Sequence, residues 1–307
     1  MQVLNDGEVY KKLTWSKILN ALEDAFKQRS KNPNYFQMPA RQAIGLKGNS
    51  FLTMPCVSAD GWFGVKQVSV IPDNYLRNKE TVQAHYTLFD PTGTAVLSAA
   101  ADSLTKFRTA ATSALAAKYL VHKDAKNLLI IGTGALAPFM AEAHCFVHDY
   151  QKIIIWGRDA KKTKLAAQDI KTRIKRDLEI VEDLQTAVKQ ADLISMATTA
   201  SKAIVKSEWL ASQHIDIVGA FTPDMQELDE KAIKQATVFV DDLAACKAEA
   251  GDLIKAEQAG WSFAKVKADL AALSINSYQR KEEEITVFKS VGLALEDLVV
   301  ARILLEP

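Results

Sequence analysis

The sequence is short of cysteine, of net charge and of long apolar runs, and each shortage excludes something. Cys56, Cys145 and Cys246 are the only cysteines in 307 residues and none forms a CxxC pair. A disulfide framework is therefore excluded, and a reducing compartment fits. Lys and Arg together number 38 against 37 Asp and Glu, a formal net charge of +1, with no long block of one sign. Nothing in that balance selects nucleic acid or an anionic membrane surface as partner, so the expected partners are a small molecule and a second copy of the chain. No apolar run reaches the length of a membrane span. The opening "LTWSKILNALEDAFKQ" spaces its apolar residues as an amphipathic helix rather than as a basic-then-apolar leader, and the expected location is cytoplasmic. Internal repeats and low-complexity stretches are also missing.

What is present is a regular alternation of strand and helix signals through the middle of the chain. "NLLII" (127–131), "KIIIW" (152–156), "LEIV" (178–181), "DLISM" (192–196), "IDIVG" (215–219) and "TVFVD" (237–241) are short runs rich in β-branched residues. Such runs, without in-out alternation, are typical of strands covered on both faces. Helical patterns such as "ALAPFMAEAHCFVHDY" and "DAKKTKLAAQDIKTRI" lie between them. The reading is α/β, a doubly wound parallel sheet over 118–285. Residues 1–117 read as an α+β arrangement: one helix, then a mostly antiparallel sheet with "DPTG" as a turn. The tail "ITVFKSVGLALEDLVVARILLE" is too short to stand alone. Residues 286–307 are expected to rejoin 1–117, and "RKEEE" (280–284) reads as a solvated connector.

"NLLIIGTGALAPFMAEAH" sets Gly132, Gly134 and Ala137 in G-x-G-x-x-G/A spacing between a buried strand and a helix. Gly132 permits the tight turn, Gly134 lets a pyrophosphate approach the backbone, and Ala137 lets helix and strand pack closely. Because the motif opens a series of βαβ units, a dinucleotide site is expected. After the second strand, "WGRDAKK" has Gly157 and Arg158 where NAD-binding sheets usually place an acidic residue for the ribose 2′-hydroxyl. An arginine there suits a 2′-phosphate, so NADPH is expected in preference to NADH. Asp159 reads as a helix cap.

In the first segment Arg41, Lys66 and Arg108 stand in apolar settings. Arg108, read as starting an Ala-rich helix, sits at the wrong end for the helix dipole and is expected to face an anion. With "MPAR", "GVKQVSV", "FRTAATSALA", "IIGTGALA", "VGAFTPDMQELDE" and "ITVFKSVGLALEDL" in order, the chain resembles the ornithine cyclodeaminase/mu-crystallin family over essentially its whole length. The resemblance implies a homodimer with a Rossmann domain between terminal segments that form a substrate and dimerisation domain. It further implies that Arg41, Lys66 and Arg108 grip a substrate carboxylate, with Lys66 and Arg108 at the chemistry. Thr109, Gly134, Ala135, Leu136, Arg158, Thr198, Val218 and Val291 would lie along the cofactor.

Family members that release ammonia resemble Gly-Gly-Asp or Gly-Ser-Asp after the strand "HIDIVGA". Here the chain reads Gly219-Ala220-Phe221, and a phenyl ring neither hydrogen-bonds nor takes a proton. Asp224 reads instead as a helix cap with Glu227 as its reciprocal partner, after the helix-start pair Thr222-Pro223. The expected chemistry is therefore NAD(P)H-dependent reduction of a cyclic imine carboxylate, with Phe221 as an apolar wall against the ring. The five-membered case converts 1-pyrroline-2-carboxylate to L-proline, and the six-membered case 1-piperideine-2-carboxylate to L-pipecolate. Alternatives are an ornithine cyclodeaminase, an alanine dehydrogenase-like enzyme for an open-chain amino acid, and a mu-crystallin-like protein that holds NADPH and a small ligand. His144 and His148 have metal-ligand spacing but no third ligand, and no metal is expected. His85 reads either as a proton donor or as a satisfied strand histidine.

Overall fold

The structure, a computed structural model, describes residues 1–77, 79–276 and 278–306. The chain divides into two compact units, Met1–Arg108 with Gly292–Pro307, and Thr109–Val291.

The first unit opens with β1 (Gln2–Leu4), α1 (Asp6–Lys12) and α2 (Trp15–Lys31). Asn5 and Glu8 close a reciprocal capping box on α1. Trp15, Ile18, Leu19, Leu22, Ala25 and Phe26 are the buried residues of α2, at the spacing that puts one stripe inward. Strands β2 (Phe36–Gln37), β3 (Gln42–Leu46), β4 (Asn49–Ser58), β5 (Phe63–Val70), β6 (Val82–Phe89) and β7 (Ala95–Ala100) follow. They pair antiparallel in the order β7-β6-β5-β4-β2, β3 also pairs with β4, and β1 adds in parallel to β7. Asp90 to Gly93 makes the expected turn, with Gly93 at φ 85°. Helix α3 (Asp102–Leu120) closes the segment.

The second unit carries β8 (Asn127–Ile131), α4 (Ala137–Val147), β9 (Lys152–Trp156), α5 (Ala160–Ile174), β10 (Glu179–Ile180), α6 (Leu184–Gln190), β11 (Leu193–Met196) and β12 (His214–Ile217). Then come α7 (Glu230–Gln235), β13 (Thr237–Val240), α8 (Leu243–Glu249), α9 (Gly251–Gln258), β14 (Ala268–Asp269), α10 (Leu270–Ile275) and β15 (Thr286–Lys289). All eight strands are parallel, in the order β10-β9-β8-β11-β12-β15-β13-β14. The order reverses direction between β8 and β11, the crevice where open α/β sheets take ligands. Side chains of Asp159, Asp183, Asp229, Asp242 and Asp269 each accept an amide in the first turn of a helix. The chain then returns to the first unit as α11 (Ala294–Ile303), almost wholly buried and packed on α2 and on β4, β5 and β6.

Four expectations are corrected. The unit boundaries fall at 108/109 and 291/292 rather than 117/118 and 285/286. Helix α3 runs unbroken through the first boundary, and "TVFK" is buried on every residue as β15, between β12 and β13. "LEIV" contributes only the exposed pair Glu179–Ile180. Thr222-Pro223 opens a turn, not a helix; the next helix is α7, capped by Asp229. Arg280 is no solvated connector, since its guanidinium is part-buried on the carbonyls of Leu120, Ser212 and Glu284, and burial pushes it down to about 10. Among the described residues no helix is long and apolar enough to cross a membrane.

Candidate functional site

In the second unit the expected cofactor residues gather on the carboxyl ends of five adjacent strands. Gly132, Gly134, Ala135 and Leu136 follow β8, Gly157 and Arg158 follow β9, Thr198 follows β11, Val218 follows β12 and Val291 follows β15. Gly132 has φ 121°, and a Cβ there would lie 3.0 Å from the carbonyl of Ala197. A Cβ on Gly134 would meet nothing within 4 Å. A turn that only glycine can make, followed by a glycine with open space around it, is the cradle a pyrophosphate needs, so the residues present fit a dinucleotide.

Gly157 is fixed by space. A Cβ there would stand 2.4 Å from Thr133 Cγ2 and 2.6 Å from Thr163 Oγ1, which bars a carboxylate side chain from that position. Arg158 is exposed, and Asp159 caps α5 through the Lys162 amide as expected. Thr109 sits buried in α3 rather than at a strand end. Phe221 is 41% exposed just after β12, its amide donating to the Gly219 carbonyl at 2.9 Å.

Asp224 is exposed in the turn and caps no helix, and Glu227 does not return to it. The Glu227 side chain runs inward instead. Its Oε1 accepts the Thr198 amide and its Oε2 the Gly219 amide, each at 2.7 Å. Asp252 Oδ1 accepts the amides of Glu227 and Leu228 at 2.7 and 2.9 Å, and Lys289 Nζ lies 3.6 Å from Asp252 Oδ2. All three side chains are fully buried. Burial first, and Asp252 beside it, push Glu227 up to about 7 against the pull of Lys289 and the Thr198 amide. Burial likewise raises Asp252. Sequence reasoning missed this cluster. Its one visible signal is Lys289, a cation ending an otherwise apolar strand.

In the first unit the three expected cations do come together, and two of them, Lys66 and Arg108, are held by carboxylates that the sequence reading left out. Lys66 Nζ lies 2.9 and 2.8 Å from the Asp297 oxygens. Arg108 Nε donates to Asp297 Oδ1 at 3.1 Å, and its Nη1 to Glu296 Oε2 at 2.9 Å. Arg41 Nη2 donates to the Gly292 carbonyl at 3.3 Å. Gly292 has φ 83°, and a Cβ on it would lie 2.3 Å from Arg108 Nη1. Burial, then the Arg108 charge, pulls Lys66 down to about 8 against Asp297. The anion expected opposite Arg108 is thus supplied from within. Arg108 lies well inside α3, which starts at Asp102, so the dipole argument misplaced the helix start.

Tyr86, the cross-strand partner of Lys66, is fully buried, and its hydroxyl has no hydrogen-bond partner among the described residues. His85 points to the opposite face of the sheet by strand alternation, is exposed, and bonds Ser98 Oγ at 2.8 Å. His144 is engaged by Asp216 at 2.6 Å and His148 by the Ala125 carbonyl at 2.7 Å. Among the described residues no group of three or more His, Cys, Asp or Glu side chains is placed to hold a metal ion.

The model of the ornithine cyclodeaminase/mu-crystallin family matches residues 1–307. A delta(1)-pyrroline-2-carboxylate reductase of Bacillus cereus is 36% identical over 265 residues, covering 84% of this chain and 81% of that protein. The solved delta(1)-pyrroline-2-carboxylate reductase of Thermococcus litoralis, in complex with NADH and L-proline, superposes with a TM-score of 0.93 at 29% identity, covering 99% of this chain and 96% of that one. An archaeal alanine dehydrogenase dimer with bound NAD superposes with a TM-score of 0.91 at 28% identity, covering 98% and 94%.

Proposed function

Since the chain belongs to the ornithine cyclodeaminase/mu-crystallin family, we propose that it is an NAD(P)H-dependent ketimine reductase converting 1-pyrroline-2-carboxylate to L-proline in the cytoplasm. The observation that carries this reading is Phe221. The chain keeps the cations for a carboxylate and the cradle for a dinucleotide, and it places an exposed phenyl ring where an ammonia-releasing relative needs an acid. A phenyl ring can neither direct water nor accept a proton, but it can cover ring methylenes and keep water off an imine.

Arg41, Lys66 and Arg108 bind the substrate carboxylate and set the ring's orientation, which is most of what the reaction asks of a protein. When bound, the reduced nicotinamide supplies a hydride to the C=N carbon. The iminium nitrogen takes up the electron pair of the broken π bond and becomes the secondary amine of the ring. Lys66, held near 8, is an ammonium at neutral pH that can also keep the imine nitrogen protonated. Arg158 favours the 2′-phosphate of NADPH, because the position before it accepts no carboxylate side chain. The chain works as a homodimer, and exposed apolar residues of the first sheet, Ile44, Phe51, Val57 and Val82, suit that pairing.

The test is loss of reduced-cofactor absorbance with 1-pyrroline-2-carboxylate, run with NADPH and NADH in parallel, and ammonia release from ornithine with NAD as the control. Oxidation without ammonia, faster with NADPH, is the expected result. Ammonia and proline from ornithine would overturn the role given to Phe221. Tight cofactor binding with no imine turned over would make the protein a binder rather than a catalyst.

A further inference from the structure

The Glu227 side chain joins two of the loops expected to carry the cofactor. Its two oxygens each take one backbone amide, Thr198 after β11 and Gly219 after β12. The loops touch there: a Cβ on Gly219 would fall 2.0 Å from the Thr198 carbonyl oxygen and 2.6 Å from Glu227 Oε1. Glu227 is itself fixed, since its amide donates to Asp252 and its carbonyl accepts the amides of Ile204 and Val205. No local pattern requires an acid at this point, because Asp229 caps the following helix.

We propose that Glu227 is a positioning residue of the dinucleotide site, a carboxylate that holds the Thr198 and Gly219 loops together and so makes nicotinamide cofactor binding weaken as the solution is acidified. The proposal rests on the reading that this unit binds a nicotinamide dinucleotide. The physical reason is donor count. A carboxylate offers two acceptors to two amides, whereas a protonated carboxyl or an amide side chain turns one of its ends into a donor facing a donor. The charged groups facing Glu227 are Lys289 at the end of β15 and Asp252 in α9. Burial and Asp252 favour the proton and Lys289 opposes it, which brings the carboxyl up to about 7, within reach of ordinary changes in pH.

The experiment is NADH binding, followed by fluorescence on the full chain, for the wild type, Glu227→Gln and Lys289→Met. NADH is the probe because it has no 2′-phosphate to titrate. The wild-type Kd should rise about tenfold between about pH 8 and about pH 6. Glu227→Gln, folded by near-UV circular dichroism, should bind about tenfold more weakly at the upper pH and lose the pH dependence. Its amide hydrogen exchange should quicken at 197–200 and 218–220 and stay unchanged at 127–131. Lys289→Met should move the midpoint to higher pH. A flat wild-type profile overturns the proposal without any variant, as does Glu227→Gln with wild-type affinity and slope. Failure of the wild type to bind NADH at any pH would bear a different signature and would sink the cofactor reading together with this one.

Discussion

Raising the pH from about 7 to about 10 should weaken carboxylate binding while the fold grows more stable, and both effects should trace to Lys66. The ammonium is 2% exposed and paired with Asp297, yet burial and the neighbouring Arg108 hold it at about 8, against an unperturbed 10.5. The unfolded chain therefore keeps a proton that the native state sheds over the window from about 8 to 10.5, and stability rises with pH across that window. At about 1.4 kcal/mol per unit the gain has a ceiling of about 3 kcal/mol. Binding moves the other way, because a bound anion loses one charge-assisted contact, about 1.5–3 kcal/mol or roughly 10- to 100-fold in Kd. The assay is the inhibition constant of 2-furoate, a ring carboxylate that does not itself titrate there, beside urea unfolding at each pH. Lys66→Met is the control: its inhibition constant should be high and flat, and the difference in unfolding free energy, wild type minus variant, should climb with pH. A flat 2-furoate profile in the wild type would refute Lys66 as an anion ligand. A difference that falls with pH would refute burial as the cause of its low pKa.

Gly292→Ala puts a methyl group at φ 83° and within 2.3 Å of Arg108 Nη1. It should cost about 2–4 kcal/mol by thermal or urea unfolding and raise the KM for the imine carboxylate more than it lowers kcat. Wild-type stability and KM together would show that Arg108 is not held in place by the bare glycine. Arg158→Gln should raise the KM for NADPH about tenfold and leave that for NADH within about twofold, since only the former carries the 2′-phosphate. Equal effects on both cofactors would remove Arg158 from the phosphate site.

The parallel sheet was legible because β8, β9, β11 and β13 are mostly buried and written largely in β-branched and large apolar residues, and β12 alternates Ile215 and Ile217 with His214 and Asp216. The place of β15 was not. "TVFK" carries the same signal as its neighbours, but nothing local says that a strand from the end of the chain slots between β12 and β13. Helix caps were legible at Asp159, where the side chain has only the exposed helix end to bond. At Glu227 the same local pattern misled, because the amides of Thr198, in another loop, and of Gly219, earlier in its own, compete for the carboxylate and win. Glu296 and Asp297 had a readable signal that went unused: two adjacent acids in the mostly apolar α11, buried with their apolar neighbours, need cations, and Lys66 and Arg108 were already conspicuous for lacking anions.

Those two acids also bear on what the cations can hold. Lys66 and Arg108 are paired with Asp297 and Glu296 in the interior of the first unit. Buried charge of that kind is costly unless it is matched, and replacing such pairs by apolar residues often stabilises a fold, so stability alone does not explain keeping them. The two acids do a further job by spanning the cations: Asp297 binds Lys66 and Arg108 together, and Glu296 holds the far side of the same guanidinium, so the donors are set before any ligand arrives.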